Sequence, residues 1–134
     1  VTEKVVVDAS AMVDYLVGSP LAQHVAERLR DAEVSVPAHF DAEVLSALGR
    51  LHRGGDLSEL EVEERVALTA QAPFRRRLLA PLLAGAWTLH HKVRLVDALY
   101  IELANQLKAT IVTTDSGMAS AATDSEHIDD RSEK

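Results

Sequence analysis

Four acidic side chains in this chain stand where they could do chemistry together. Asp8 closes the apolar run Val5-Val6-Val7 and opens Ala9-Ser10-Ala11-Met12, while Asp115 follows Thr110-Ile111-Val112-Thr113-Thr114 and opens Ser116-Gly117. An acid placed after such a run lies at the carboxyl end of a strand, where open α/β sheets locate their sites. Two strand-end aspartates suggest a shared site for a divalent cation, because Mg²⁺ is held by a few carboxylate oxygens and waters. Glu43, in Asp41-Ala42-Glu43-Val44-Leu45, and Asp97, opening Asp97-Ala98-Leu99-Tyr100-Ile101, are helical acids among small or apolar neighbours. That setting suits a cleft better than open water.

Each acid also has a plainer role available. Asp8 and Asp115 could cap the helices that follow them. Asp97 could favour the positive end of its helix, an effect under about 1 kcal/mol, and Glu43 could be a surface glutamate near a helix start. Four acids at four suitable element ends favour the shared site.

The elements that must position these residues alternate along the chain. The patterning predicts strands at Val5–Val7, Val34–Val36, Arg75–Leu79 and Thr110–Thr113, the first of the fully apolar, buried parallel type. It predicts helices at Ser10–Leu16 (ended by Gly18 and Pro20), Leu21–Ala32, Phe40–Arg53, Leu82–His90, Val96–Leu107 and Ser116–Ala122. A further helix runs to about Ala72, with Ser58 as N-cap and Glu61 three residues on completing a capping box. Such alternation indicates an α/β fold, a short parallel sheet with helices on both faces. Right-handed crossovers bring the strand carboxyl ends, and so Asp8 and Asp115, to one edge.

With 134 residues, 47% of them hydrophobic and 26% charged, the composition is that of one folded domain. No apolar run approaches the roughly 20 residues of a membrane span, and no signal-peptide pattern precedes the first strand. Cysteine is absent, which excludes disulfides and thiolate metal sites and makes a cytoplasmic protein the expectation. The formal charge of −7 argues against a nucleic-acid partner only until its segregation is considered. Asp124, Glu126, Asp129, Asp130 and Glu133 load the end of the chain, so residues 1–123 are expected to form the domain and 124–134 a frayed acidic tail. Basic residues cluster elsewhere: Arg50, His52 and Arg53; Arg75, Arg76 and Arg77; Lys92 and Arg94. The arginine triplet is the best phosphate-contact candidate by charge, although strand alternation sends Arg76 to the face opposite its neighbours. Lys92 and Arg94 are nearer the expected site.

In this order, Val-Val-Val-Asp8-Ala-Ser10, Glu43-Val-Leu-Ser-Ala-Leu, Asp97-Ala-Leu-Tyr-Ile-Glu-Leu-Ala and Thr113-Thr-Asp115 resemble the PIN domain, with the best likeness to the VapC toxins of bacterial toxin–antitoxin pairs. The resemblance covers about Val5 to Ala122. It implies a three-layer α/β/α nuclease, a homodimer, an endoribonuclease dependent on Mg²⁺ or Mn²⁺, and silencing by a cognate VapB-type antitoxin. The substrate class it implies is transfer or ribosomal RNA. The family's four acidic positions fall on Asp8, Glu43, Asp97 and Asp115. Asp8, Asp97 and Asp115 are then expected to hold the metal, with Glu43 holding a second ion or orienting the attacking water. Ser10 and Thr113 are expected to fix carboxylate orientation by hydrogen bonds. The chain departs from the pattern at Val96, where many relatives carry an aromatic or hydroxyl residue, and after Ala122, where no final edge strand is evident.

Other signals carry less. The six histidines show no His-Glu-x-x-His pattern, and adjacent His90 and His91 point about 100° apart on a helix. They are expected at the surface or partly packed. Trp87 is expected in the core or on a dimer face, and 4% aromatic residues leave little material for base stacking. The competing readings are an inert PIN-type protein-binding module and a phosphotransfer domain of similar architecture. The second lacks both an Asp-x-Asp pair at Asp8 and a lysine after the last strand motif.

Overall fold

A computed structural model of the protein describes residues 2–122 and 124–129. Its centre is a five-stranded, all-parallel sheet in the order β3-β2-β1-β4-β5. The strands are β1 (Lys4–Val7), β2 (Glu33–Pro37), β3 (Arg75–Arg77), β4 (Thr110–Thr113) and β5 (Ser125–His127). The helices are α1 (Ala9–Val17), α2 (Ala22–Leu29), α3 (Phe40–Arg53), α4 (Glu59–Gln71), α5 (Leu83–Trp87), α6 (Leu95–Leu107) and α7 (Ser116–Ala121). A 3₁₀ turn over Ala80–Leu82 leads into α5, so the helix expected over Leu82–His90 is shorter than its apolar pattern.

β1 is central because its three valines can be buried on both faces, and all three are fully buried. It pairs with β2 on one side and β4 on the other, Val7 lying opposite Val112. Strand order therefore reverses between β1 and β4, and the crevice that opens there lies at the ends carrying Asp8 and Asp115. Phe40, Val44 and Leu48 of α3 and Tyr100, Ile101 and Ala104 of α6 are buried, fixing the two helices that carry Glu43 and Asp97. The capping box of α4 is present in both directions, Ser58 Oγ accepting from Glu61 N at 3.1 Å and Glu61 Oε1 accepting from Ser58 N at 2.9 Å.

The frayed tail is corrected over its described residues, 124–129. Ser125–His127 extend the sheet as a parallel edge strand on β4, and Ile128 behind them is buried. Their attachment is backbone pairing plus a charged tie: Arg28 of α2 donates to Glu126 and to Glu3, each at 2.6 Å. The acidity of this stretch thus serves the Arg28 link in part. Asp130 and Glu133 lie outside the described residues.

Candidate active site

The structure brings the four acids to one cleft of about 360 Å³, lined also by Ser10, Tyr100, Arg50 and Arg94. Asp8 and Asp115 reach it from the ends of β1 and β4, Glu43 from the first turn of α3, and Asp97 from the first turn of α6. The capping roles are real as well. Asp8 Oδ1 accepts from Ala11 N at 3.0 Å, and Asp115 Oδ1 accepts from Gly117 N at 2.8 Å. A carboxylate has lone pairs enough for a cap and a second task, so the two roles coexist.

Asp8 is the deepest of the four, 3% exposed. Ser10 Oγ donates to its Oδ1 at 2.8 Å and Thr113 Oγ1 donates to its Oδ2. Thr113 Oγ1 in turn accepts from Asp115 N at 2.9 Å, so one fully buried hydroxyl ties the two strand-end acids together. Burial pushes the Asp8 carboxyl up from the usual 3.8 to about 6; the bonds from Thr113, Ala11 and Ser10 oppose that rise, and the charge of Asp115 adds to it. A carboxylate in that position gains from a nearby cation.

The helical acids are held by partners of their own. Arg94 donates through Nε to Asp97 Oδ2 at 3.0 Å and through Nη2 to Asp97 Oδ1 at 3.3 Å. The Tyr100 hydroxyl donates to Glu43 Oε1 at 2.7 Å, and burial followed by that bond raises the phenol well above its ordinary range. No three acids among the described residues converge on a single point. The donor set nevertheless fits a hard divalent cation: every side chain offered is an oxygen ligand, with Asp8 and Asp115 joined through Thr113 and Asp97 across the cleft.

The basic candidates divide. Arg94 lines the cleft, while Lys92 is exposed outside it. Arg76 is a strut: its guanidinium bonds both Asp41 oxygens at 3.1 Å and the carbonyls of Thr69, Ala72 and Phe74. Arg75 is exposed beside Glu33 at 3.6 Å, and Arg77 reaches Ser35 Oγ at 3.4 Å. None of the three lines the cleft. Arg50, noted in the sequence only as part of a basic island, does. Trp87 is not in the core; it is 59% exposed and its ring stacks on His90 at 4.2 Å. Sequence reasoning missed His39, which lies outside the quoted motifs, and read Tyr100 only as an apolar neighbour of Asp97, yet both pack against Glu43. Their spacing was the available signal: His39 is four residues before Glu43, and Tyr100 is three after Asp97.

Comparison with known proteins shows the family and the fold. The family model described as "PIN domain" matches residues 5–124. Over 120 residues the chain is 48% identical to "Ribonuclease VapC3" of Mycobacterium tuberculosis, covering 89% of this chain and 88% of that protein. Among solved structures it is similar to PAE2754 from Pyrobaculum aerophilum, with a TM-score of 0.71 at 17% identity, over 92% of this chain and 82% of that one. It is also similar to Mycobacterium tuberculosis VapC20, described as a sarcin-ricin loop cleaving toxin, with a TM-score of 0.67 at 16% identity, over 87% and 94%.

Proposed function

The chain belongs to the VapC family of PIN-domain ribonuclease toxins, and from that premise we propose that its four-acid cleft is the site of a divalent-metal-dependent endoribonuclease. The observation that supports this most is the meeting of Asp8, Glu43, Asp97 and Asp115, from two strand ends and two helices, at the point where strand order reverses.

Asp8, Asp97 and Asp115 are the residues that would hold Mg²⁺ or Mn²⁺. When bound, the ion offsets charge on the scissile phosphate and makes water in the cleft more acidic. Ser10 and Thr113 keep the Asp8 carboxylate turned in one direction by donating to its two oxygens. Glu43 orients the attacking water and accepts its proton, or helps hold a second ion. As a ligand Asp97 would give up part of its pairing with Arg94, whose guanidinium would then take an RNA phosphate, with Arg50 as a second contact on the cleft wall. Attack in line on the phosphodiester leaves a 5′-phosphate and a 3′-hydroxyl.

The substrate class is structured transfer or ribosomal RNA, and the partner that silences the enzyme is a VapB-type antitoxin presenting an arginine to the acidic cleft. A homodimer is the proposed assembly, supported by the exposed apolar side chains Leu83 and Trp87 on α5 and Leu95 and Val96 on α6, two helices that pack together. No helix among the described residues is long and apolar enough to cross a membrane, and a cytoplasmic location is the proposal that follows from the family role. Growth arrest on induction, relieved by the adjacent antitoxin gene, together with mapped cleavage ends in total RNA, tests the role. Asp97→Asn should keep the fold and lose cleavage; wild-type cleavage by that variant would remove the site assignment.

A further inference from the structure

Glu43 is held by two residues to which the sequence analysis assigned no role. The Tyr100 hydroxyl donates to Oε1 at 2.7 Å, and His39 Nε2 stands 3.5 Å from the same oxygen. Among the described residues nothing donates to Oε2. Tyr100 is buried, and its ring lies against the His39 ring with centroids 4.9 Å apart, so neither side chain can swing away freely.

The tautomer of His39 follows from its partners. Nε2 lies 2.8 Å from the Val96 carbonyl, which can only accept, so Nε2 carries the hydrogen. Nδ1 is buried with no hydrogen-bond partner among the described residues. A buried polar atom left unpaired lowers stability, so a histidine here is not explained by packing alone. What it gains is the Nε2–H bond, which joins the start of α3 to the first turn of α6 beside Asp97. His39, the N-cap residue of α3, stands one turn before Glu43, and Asp97 and Tyr100 are one turn apart on α6. Each helix therefore supplies one acid to the cleft and one donor that holds the two helices, and so the two acids, at a set separation.

We propose that His39 and Tyr100 are positioning residues for Glu43. Tyr100 takes Oε1 so that Oε2 is the oxygen presented to the attacking water or second ion, and His39 locks the helix carrying Glu43 to the helix carrying Asp97. The inference rests on the proposed role of Glu43 in RNA cleavage.

The test uses the full chain. Tyr100→Phe removes one oxygen and keeps the ring; His39→Phe keeps the ring contact and removes the donor; His39→Gln restores an N–H at similar reach. Glu43→Ala is the reference. With structured RNA and saturating Mg²⁺, Tyr100→Phe and His39→Phe should each lower kcat about tenfold, as expected for a misplaced catalytic group, with KM unchanged, and His39→Gln should recover most of the loss. In EDTA, thermal melts should show that Tyr100→Phe costs less in the Glu43→Ala background than in wild type, a readout that needs neither metal nor substrate. Wild-type kcat in Tyr100→Phe and His39→Phe, beside an inactive Glu43→Ala, overturns this inference and leaves the role of Glu43 standing. Full activity in Glu43→Ala overturns both. If Tyr100→Phe does not fold, the His39→Phe and His39→Gln pair decides: equal loss of kcat in both overturns the proposal, and selective recovery by glutamine upholds it.

Discussion

Replacing Asp8 with asparagine should make the metal-free protein more stable at alkaline pH, although it removes a residue of the proposed site. The Asp8 carboxyl is buried, and desolvation carries it from the usual 3.8 to about 6 despite three hydrogen bonds. Between those values the folded chain holds a proton that the unfolded chain has released. Stability therefore falls as pH rises through that window, the reverse of the usual carboxylate case. At 1.36 kcal/mol for each tenfold change in proton affinity, the fully ionised group costs about 3 kcal/mol. For 134 residues, with an unfolding entropy near 2.1 cal/mol/K per residue, that is a Tm difference of about 10 °C. Asparagine can keep the bonds from Ser10 and Ala11 on its oxygen and turn its amide toward Thr113 Oγ1, which already accepts from Asp115 N. The assay is thermal unfolding of wild type and Asp8→Asn in EDTA from pH 4 to pH 8. The quantity to read is the change in their Tm difference with pH, which cancels any constant effect of the substitution. That difference should open in favour of Asp8→Asn from about pH 4 to pH 7 and then level off. A difference that stays flat, or that moves toward wild type as pH rises, would refute the desolvated carboxylate. Adding Mg²⁺ at pH 8 should narrow the gap by stabilising wild type alone.

Two further substitutions separate the roles of the basic residues. Arg76→Gln should lower stability by about 2 kcal/mol through lost bonds to Asp41 and the carbonyls, while RNA affinity of the folded fraction, read by fluorescence anisotropy, stays at the wild-type level. Arg94→Gln should do the opposite in two ways: Mn²⁺ binding by calorimetry tightens by up to about fivefold because Asp97 loses a competing cation, and the salt slope of RNA binding falls by about one.

How much of this was legible beforehand depended on whether a feature was written in side-chain pattern. The three buried valines of β1, the capping box of α4 and the four acids at element ends all leave a local signature, and the structure carries each of them. β5 leaves none: Ser125, Glu126 and His127 have no apolar alternation, and the strand forms by backbone pairing with β4 and by the distant partner Arg28. The arginine triplet looked uniform, yet position separates its members, since alternation turns Arg76 toward Asp41 and leaves Arg75 exposed. The holding of Glu43 was hidden for a similar reason. Tyr100 and His39 act across 57 residues of chain, so their helical spacing from Asp97 and Glu43 marks the positions but not the contact.

The most direct test of a metal-dependent hydrolytic site is end analysis of the products that purified protein makes from a structured RNA, with and without EDTA. The account predicts 5′-phosphate and 3′-hydroxyl ends, no cleavage in EDTA, and recovery on adding Mg²⁺ or Mn²⁺. Cleavage that persists in EDTA, or that leaves 2′,3′-cyclic phosphate ends, would contradict it.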